Sequence, residues 1–221
     1  MIRVPLRAFA AAAISALLLQ AQPPEPHLAP GRLLVATEES HDPEFAQTVV
    51  LLVHYDDQGV LGLILNRRTK VEISRIFRDV PGAKSQTDPV FIGGPVTLGV
   101  LGLLRSQKTP EKAMHVFSDV QAITDKDLLE ETVTAGKPPS IFRVYIGYTG
   151  WTAPQLQNEV ERGFWHVLAG SSSIVFDPNP ETLWTRLNRK TMPRAYAEPE
   201  EPHLAARTAD VRCPVWASVL N

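Results

Sequence analysis

The sequence holds a single cysteine, Cys213, in 221 residues. One thiol forms no intramolecular disulfide and no cysteine-based zinc site. The histidines, His27, His41, His54, His115, His166 and His203, are widely scattered, and none pairs with another at metal-ligand spacing. No metal is therefore expected. The short signatures of common chemistries are missing as well. There is no G-x-S-x-G elbow, no H-E-x-x-H helix, no phosphate-loop G-x-x-x-x-G-K-[ST] and no G-x-G-x-x-G. No cofactor is expected, and no catalytic residue can be assigned. Glu38-Glu39 and Asp56-Asp57 are sequence neighbours, whose side chains point apart on extended backbone, so neither makes a good acid–base pair. A basic excess is also lacking: 22 Lys+Arg against 24 Asp+Glu give a net charge of −2. That balance argues against direct nucleic-acid binding.

Long apolar runs are absent except near the start. Arg3 and Arg7 precede an uncharged run from Ala8 to Leu19, and a polar, Pro-rich segment follows. The run is shorter than the ~20 residues that span a bilayer, and its layout is that of a secretory signal peptide. The expectation is a leader over 1–21, cleaved after Ala21, and a periplasmic mature chain without a transmembrane segment. The alternative is a cytoplasmic protein that keeps the extension. Residues 22–30 read as a Pro-rich linker, 31–189 as one domain and 190–221 as a polar, Pro-rich tail with one docking segment around Val215-Trp216. With 44% hydrophobic and 21% charged residues, the chain can bury a sizeable core.

Within 31–189 the pattern alternates between short strands and helices. Leu33–Ala36 is a strand, and the polar segment 37–47 is a loop. Thr48–Tyr55 and Val60–Leu65 form a hairpin around Asp56-Asp57-Gln58-Gly59. Apolar spacing predicts a helix over 71–78, ended by Pro81-Gly82. Strands are expected at 90–92, 100–104, 114–117, 121–123, 142–146 and 164–168. Thr124 is the expected cap of a helix reaching Ala135 and stopping at Gly136. A last helix covers 181–188, with Leu183, Trp184 and Leu187 on one face.

The densest local pattern is Gly147-Tyr148-Thr149-Gly150-Trp151-Thr152-Ala153-Pro154-Gln155-Leu156. Thr152 and Gln155 have capping-box spacing, Trp151 and Leu156 occupy the staple positions, and Pro154 sits in the first turn. Two readings are open: a ligand site at a helix N-terminus, or a strand-to-helix corner pinned by a buried Trp, which gives every residue a structural task. Gly93-Gly94-Pro95 offers the same choice between exposed amides for an anion and a tight bend where two backbones cross. Asn66-Arg67 either holds an anion bidentately or closes the hairpin locally. The candidate binding surface is thus Asn66, Arg67, Gly93, Gly94, Tyr148, Gly150, Trp151 and Gln155, facing an unknown protein or a small anionic ligand.

Taken in order, several segments resemble the AlgH/YqgE family of bacterial proteins. They are Gly31 with Leu33-Leu34-Val35-Ala36, Asp42-Pro43-x-Phe45, Val49-Val50, Gly62-Leu63-Ile64-Leu65-Asn66-Arg67, Gly93-Gly94-Pro95-Val96 and Gly147-Tyr148-x-Gly150-Trp151-x-x-x-Gln155-Leu156, followed by Glu159, Trp165 and Trp184. The resemblance implies an α+β domain, a mixed β-sheet curled into a pseudo-barrel with flanking helices. It implies neither a reaction nor a cofactor; a transcription-linked role has been suggested for relatives. It therefore favours a binding or interaction module over an enzyme, with a cytosolic regulator or an enzyme with an unrecognised site as alternatives. Three positions depart from the family pattern: Arg68 where Pro is usual, Arg105 where a His is often found, and Thr149 in place of Ala.

Overall fold

Near-continuous apolar runs form the centre of the sheet. The computed structural model describes residues 27–191 except His41; the leader, most of the linker and the tail, including Cys213 and Val215-Trp216, lie outside the described residues. Val49–Tyr55 (β2) and Val60–Ile64 (β3) pair antiparallel. The Asp56 carboxylate closes their turn by accepting from the amides of Gln58 (2.8 Å) and Gly59 (3.0 Å). Arg32–Ala36 (β1) lies along β2, and Trp165–Ala169 (β10) along β1. On the other side come Phe142–Trp151 (β9), Val96–Arg105 (β6), Val120–Ile123 (β8) and Ala113–Phe117 (β7), giving the order β10-β1-β2-β3-β9-β6-β8-β7. Pro89–Ile92 (β5) pairs parallel to the first half of β9, and Arg68–Glu72 (β4) pairs with β5. The helices are Ile73–Ile76 (α1), Lys126–Thr134 (α2), Ala153–Glu161 (α3), Ser172–Val175 (α4) and Leu183–Thr191 (α5).

Both faces of the sheet are covered, which is why its strands read as continuous rather than alternating. Leu33, Val35, Val49, Leu51, Leu63, Leu103 and Tyr145 fill the interior of the curl, closed by Val175, Phe176, Leu183 and Leu187 of α4 and α5 and the turn between them. Leu34, Val50, Leu52 and Ile64 point the other way and pack with Trp151, Leu156 and Trp165 under α3. Ile73, Val90, Leu104, Phe142 and Val144 pack with Leu129 and Val133 of α2. Leu28, in the segment expected as linker, is only 4% exposed and joins the cluster under α3.

Several sequence expectations give way to tertiary pairing. The helix expected over 71–78 is only Ile73–Ile76, because Arg68–Glu72 is a strand against β5, with Thr69 Oγ1 donating to Val90 O at 2.8 Å. Val71, assigned by periodicity to the apolar helical face, is 38% exposed on that strand. The cap of α2 is Asp125 rather than Thr124: its carboxylate accepts from the Leu128 amide at 3.0 Å. β6 starts at Val96 and reaches Val100 through an irregularity in register. α5 runs past the expected domain end at Arg189 to Thr191, preceded by a 3-10 turn at Pro180–Thr182.

The largest correction concerns the dense pattern itself. β9 does not end at Ile146 but continues to Trp151, so most of the stretch is strand. Its faces change phase on the way. Tyr145 points into the curl and Val144 to the α2 side, whereas beyond Gly147 it is Tyr148 that packs on the interior and Trp151 on the α3 side. Gly147 adopts φ +72, and this extra rotation acts as a bulge that re-aims the strand. At that point β9 leaves β5 and takes β3 as partner.

Arg143 and Thr149 are buried polar residues on this strand, and Tyr145 between them buries its phenol. Arg143, 4% exposed, is held by backbone carbonyls alone: Nε donates to Pro139 (3.0 Å), Nη1 to Val175 (3.1 Å) and Nη2 to Asp177 (2.6 Å). Its guanidinium lies over Phe91 (5.0 Å) and Phe176 (5.8 Å). The Thr149 hydroxyl is buried without a hydrogen-bond partner among the described residues. Removing an unpaired buried hydroxyl while keeping the shape stabilises a fold. Thr149→Val is accordingly expected to raise stability by ~1 kcal/mol, measured from the urea unfolding midpoint.

Candidate functional site

The glycines decide how the candidate residues lie. The Gly93 amide donates to Ile146 O and the Ile64 amide to Gly93 O, both at 2.8 Å, so Gly93 links β3 to β9 where β5 ends. The two backbones meet without room for side chains. A Cβ on Gly93 would run into the carbonyl oxygen of Gly147, and one on Gly94 into the carbonyl of Tyr148. A Cβ on Gly147 would lie 2.6 Å from Val96 O and 2.9 Å from Gly94 O. Of the two readings of Gly-Gly-Pro, the crossing of backbones is what the chain adopts. The Gly93 amide is taken up within the sheet and is not free for an anion.

Downstream, Trp151 and α3 form a second unit. Thr152 is the cap of α3, its Oγ1 accepting from the Gln155 amide at 3.2 Å. The Gln155 side chain does not return to complete the capping box; it donates to Glu159 Oε1 at 3.2 Å. Glu159 Oε2 accepts from the indole nitrogens of both Trp151 (3.1 Å) and Trp165 (2.9 Å). Trp151 and Leu156 meet under the helix, as a hydrophobic staple requires. Phe45 covers the pair, stacked on Trp151 (5.7 Å) and edge-on to Trp165 (5.4 Å). Glu159 is the hub of this unit, and pattern reading placed it only by family resemblance. Glu159→Leu leaves two indole N–H groups and the Gln155 amide without their acceptor. The expected loss is ~2 kcal/mol, with an altered tryptophan emission spectrum.

Asn66 and Arg67 belong to the same neighbourhood through the loop that carries Phe45. Asn66 Oδ1 accepts from the Val49 amide (2.9 Å), and its Nδ2 donates to Gln47 O (2.8 Å), holding Gln47 at φ 55. Arg67 Nη2 donates to Glu44 O. The two side chains therefore shape the loop 42–48 that lays Phe45 on the tryptophans. Asn66, Arg67, Trp151 and Gln155 converge in this way. Gly93, Gly94 and Tyr148 do not join them: they lie at the crossing, with Tyr148 packed on the interior cluster. Gly150 is exposed on β9 opposite Leu61.

Other polar groups serve local ends. His54 Nε2 lies 2.8 Å from the Asp56 carboxylate at the hairpin turn, and burial lowers the pKa of His166. Arg105 donates through Nε to Asp119 at 2.7 Å, and the Ser172 hydroxyl donates to the other oxygen of the same carboxylate. The Ser172 hydrogen bond first, then that of Arg105, holds the Asp119 pKa below 3.8. A lowered folded-state pKa contributes stability that is complete above the unfolded value of ~3.9 and is lost as pH falls through the folded one. Asp119→Asn is expected to flatten the stability profile below about pH 4, as read by thermal melts against pH.

The fold has known relatives. The AlgH-like family model matches residues 33–195. The chain is 33% identical over 187 residues to a UPF0301 protein of Streptomyces coelicolor, covering 79% of this chain and 94% of that one. It is 35% identical over 181 residues to one of Streptomyces avermitilis, with the same coverage of 79% and 94%. Among solved structures, the solution structure of the AlgH protein from Pseudomonas aeruginosa superposes with a TM-score of 0.61 at 28% identity, covering 78% of this chain and 94% of that one. A crystal structure of a Corynebacterium diphtheriae protein shares the fold with a TM-score of 0.63 at 22% identity, covering 77% and 91%.

Proposed function

The chain belongs to the AlgH-like family, and on that premise we propose that it is a non-enzymatic binding module, exported by its leader, that meets a protein partner with the face around Phe45 and α3. One observation carries this reading: Asn66, Arg67, Gln155 and Glu159 are all engaged in holding that face in shape. Side chains fixed to the protein's own backbone and indoles build a rigid surface. A reaction would instead need polar groups converging on a substrate atom. Carboxylates outnumber cations around it, with Asp42 and Glu44 on the loop, Asp56 and Asp57 at the hairpin turn and Glu161 on α3 against Arg67 and Arg162. That charge favours a neutral or basic protein surface over a small anion.

The test uses the full chain in its host, with a photo-reactive phenylalanine analogue at exposed Gln155 or Ala46. A discrete cross-linked partner at both positions, weakened when Arg67→Ala loosens the loop, is the expected result. Absence of any adduct at either position would reject the face. Export has its own test in cell fractionation with N-terminal sequencing. A mature chain beginning at Gln22 outside the cytoplasm is expected; a full-length cytosolic product would favour a cytosolic regulator instead.

A further inference from the structure

Among the described residues, three strands of the sheet have one side unpaired: β4, β7 and β10. Two of them are guarded against further pairing. β4 loses register between Arg68 and Glu72 and exposes Lys70, and β7 loses register between His115 and Phe117. Irregular register and an exposed lysine are common protections of a sheet edge. β10 has neither. Its five residues, Trp165-His166-Val167-Leu168-Ala169, include no proline, glycine, lysine or acid. Their pairing with β1 runs without interruption from Arg32↔Ala169 to Ala36↔Trp165.

Two bonds that flank this pairing fix which way the β10 backbone points. The Gly170 amide donates to Gly31 O (2.9 Å), and Phe164 O accepts from the Thr37 amide (3.1 Å). Alternate residues of an antiparallel strand turn their amide and carbonyl to the same side. His166 and Leu168 therefore face β1, as Phe164 and Gly170 do. Trp165, Val167 and Ala169 face outward, and among the described residues no backbone group bonds to theirs. Trp165 and Val167 pack their side chains beneath α3, Leu168 packs on the interior of the curl, and Ala169 is exposed.

The two ends of this edge carry opposite charge. At the start of β10 lie Glu38 and Glu39, just beyond Thr37, with Glu161 and Arg162 at the end of α3. Carboxylates are in excess there. At the far end Arg32 lies beside Ala169, while Asp119 near the start of α4 is balanced by Arg105. Arg32, Glu38, Glu39 and Glu161 form no ion pair among the described residues. Antiparallel pairing of this strand with its own copy brings the acidic end of one to the basic end of the other, whereas parallel pairing sets like ends together.

We propose that β10 is the contact strand of a homodimer, pairing antiparallel with β10 of a second copy about a two-fold axis at Val167. This register uses every outward residue: Val167 meets Val167 and Trp165 meets Ala169, each pair exchanging both backbone hydrogen bonds. A large side chain then lies opposite a small one. His166 lies opposite Leu168 rather than a second imidazole, and no like charges meet along the strand. The pairing uses the edge of β10 and not the Phe45 loop, so this inference and the proposed partner face do not need each other.

The test is sedimentation velocity of the full chain in reducing buffer, where Cys213 cannot bridge two copies. A reversible monomer–dimer equilibrium in the micromolar range is expected. Ala169→Lys sets a charge opposite Trp165, and Ala169→Pro removes one outward amide without touching the β1 ladder. Each should weaken the dimer by about tenfold or more, whereas Val71→Lys on the guarded edge of β4 should leave it unchanged. Ala169 and Val71 are exposed, and circular dichroism checks that the variants fold; the lysine variant carries the test if the proline variant does not. Hydrogen exchange reads the same edge without substitution. The outward Val167 amide should gain protection in step with the dimer fraction, while the Leu168 amide is protected in the monomer as well. A parent that stays monomeric throughout the micromolar range overturns the pairing and leaves the edge to a strand of another protein. A dimer that both folded Ala169 variants retain, that Val71→Lys abolishes, or that leaves the Val167 amide exchanging as in the monomer has its interface elsewhere, and overturns the proposal too.

Discussion

Gly94→Ala is expected to abolish the folded domain or to lower its stability by more than ~4 kcal/mol, a loss far beyond that of an ordinary surface substitution. The added methyl would occupy the place of the Tyr148 carbonyl group and lie 2.5 Å from the Thr149 amide nitrogen. These are backbone atoms in the middle of β9, paired with β3 on one side and β6 on the other. They cannot rotate away as a side-chain end would. Relief requires β9 to move, and with it the point where the sheet changes from β5 to β3. Gly150→Ala, in the same motif, provides the contrast. Gly150 is exposed, and the nearest heavy atom to its added methyl is Tyr148 Cε2 at 3.7 Å. Its cost should stay below ~1 kcal/mol. Urea unfolding by circular dichroism reads both variants. Were the glycines an anion-binding loop, both substitutions would spare the fold and impair a ligand.

The second large effect belongs to Arg143. Arg143→Met keeps much of the side-chain volume between Phe91 and Phe176 but leaves the Val175 and Asp177 carbonyls without their donor. Those carbonyls lie at the end of α4 and just beyond it, so the substitution also removes a cation from a helix C-terminal end. Charged hydrogen bonds contribute ~1.5–3 kcal/mol each, while the desolvation of the guanidinium offsets part of the sum. The expected net loss is ~3 kcal/mol, seen as a lower urea midpoint. The same substitution should free the α4–α5 segment from β9, which limited proteolysis between Val175 and Leu183 would detect. Beside the guanidinium, the Tyr145 phenol is fully buried without a hydrogen-bond partner among the described residues, and burial pushes its pKa up to about 12.

Much local chemistry was legible in the sequence, although the cap of α2 is Asp125 rather than Thr124 and Gln155 turns to Glu159 instead of completing the capping box. The Asp56 turn, the Thr152 cap and the Trp151–Leu156 staple are adopted as their spacing implies. The continuous apolar runs of β2 and β3 likewise signalled a sheet covered on both faces. Features set by distant partners were harder to read. Val71 looked helical because the strand partner that holds β4, across Pro89–Ile92, is remote in sequence. The apolar run ends at Ile146, but the strand continues to Trp151 because Gly147 rotates it and β3 takes over as partner.

The site divides along the same line. The residues chosen for their types, Asn66, Arg67, Trp151 and Gln155, do meet, but through the Phe45 loop and Glu159, which no short-range rule connects. Arg143 had a signal that went unread: a lone cation inside an otherwise apolar strand needs a dedicated set of acceptors. The glycine pairs gave the right alternatives, and only the approach of the two backbones chose between them.

Native-state hydrogen exchange at the Gly93 amide tests this account most directly. That amide donates to Ile146 O at 2.8 Å in the middle of the crossing. If the crossing is the keystone of the sheet, Gly93 should exchange only through global unfolding, with the denaturant dependence of the core amides of β2 and β9. Exchange within minutes and independent of denaturant would mean a mobile glycine loop open to solvent, and would contradict it.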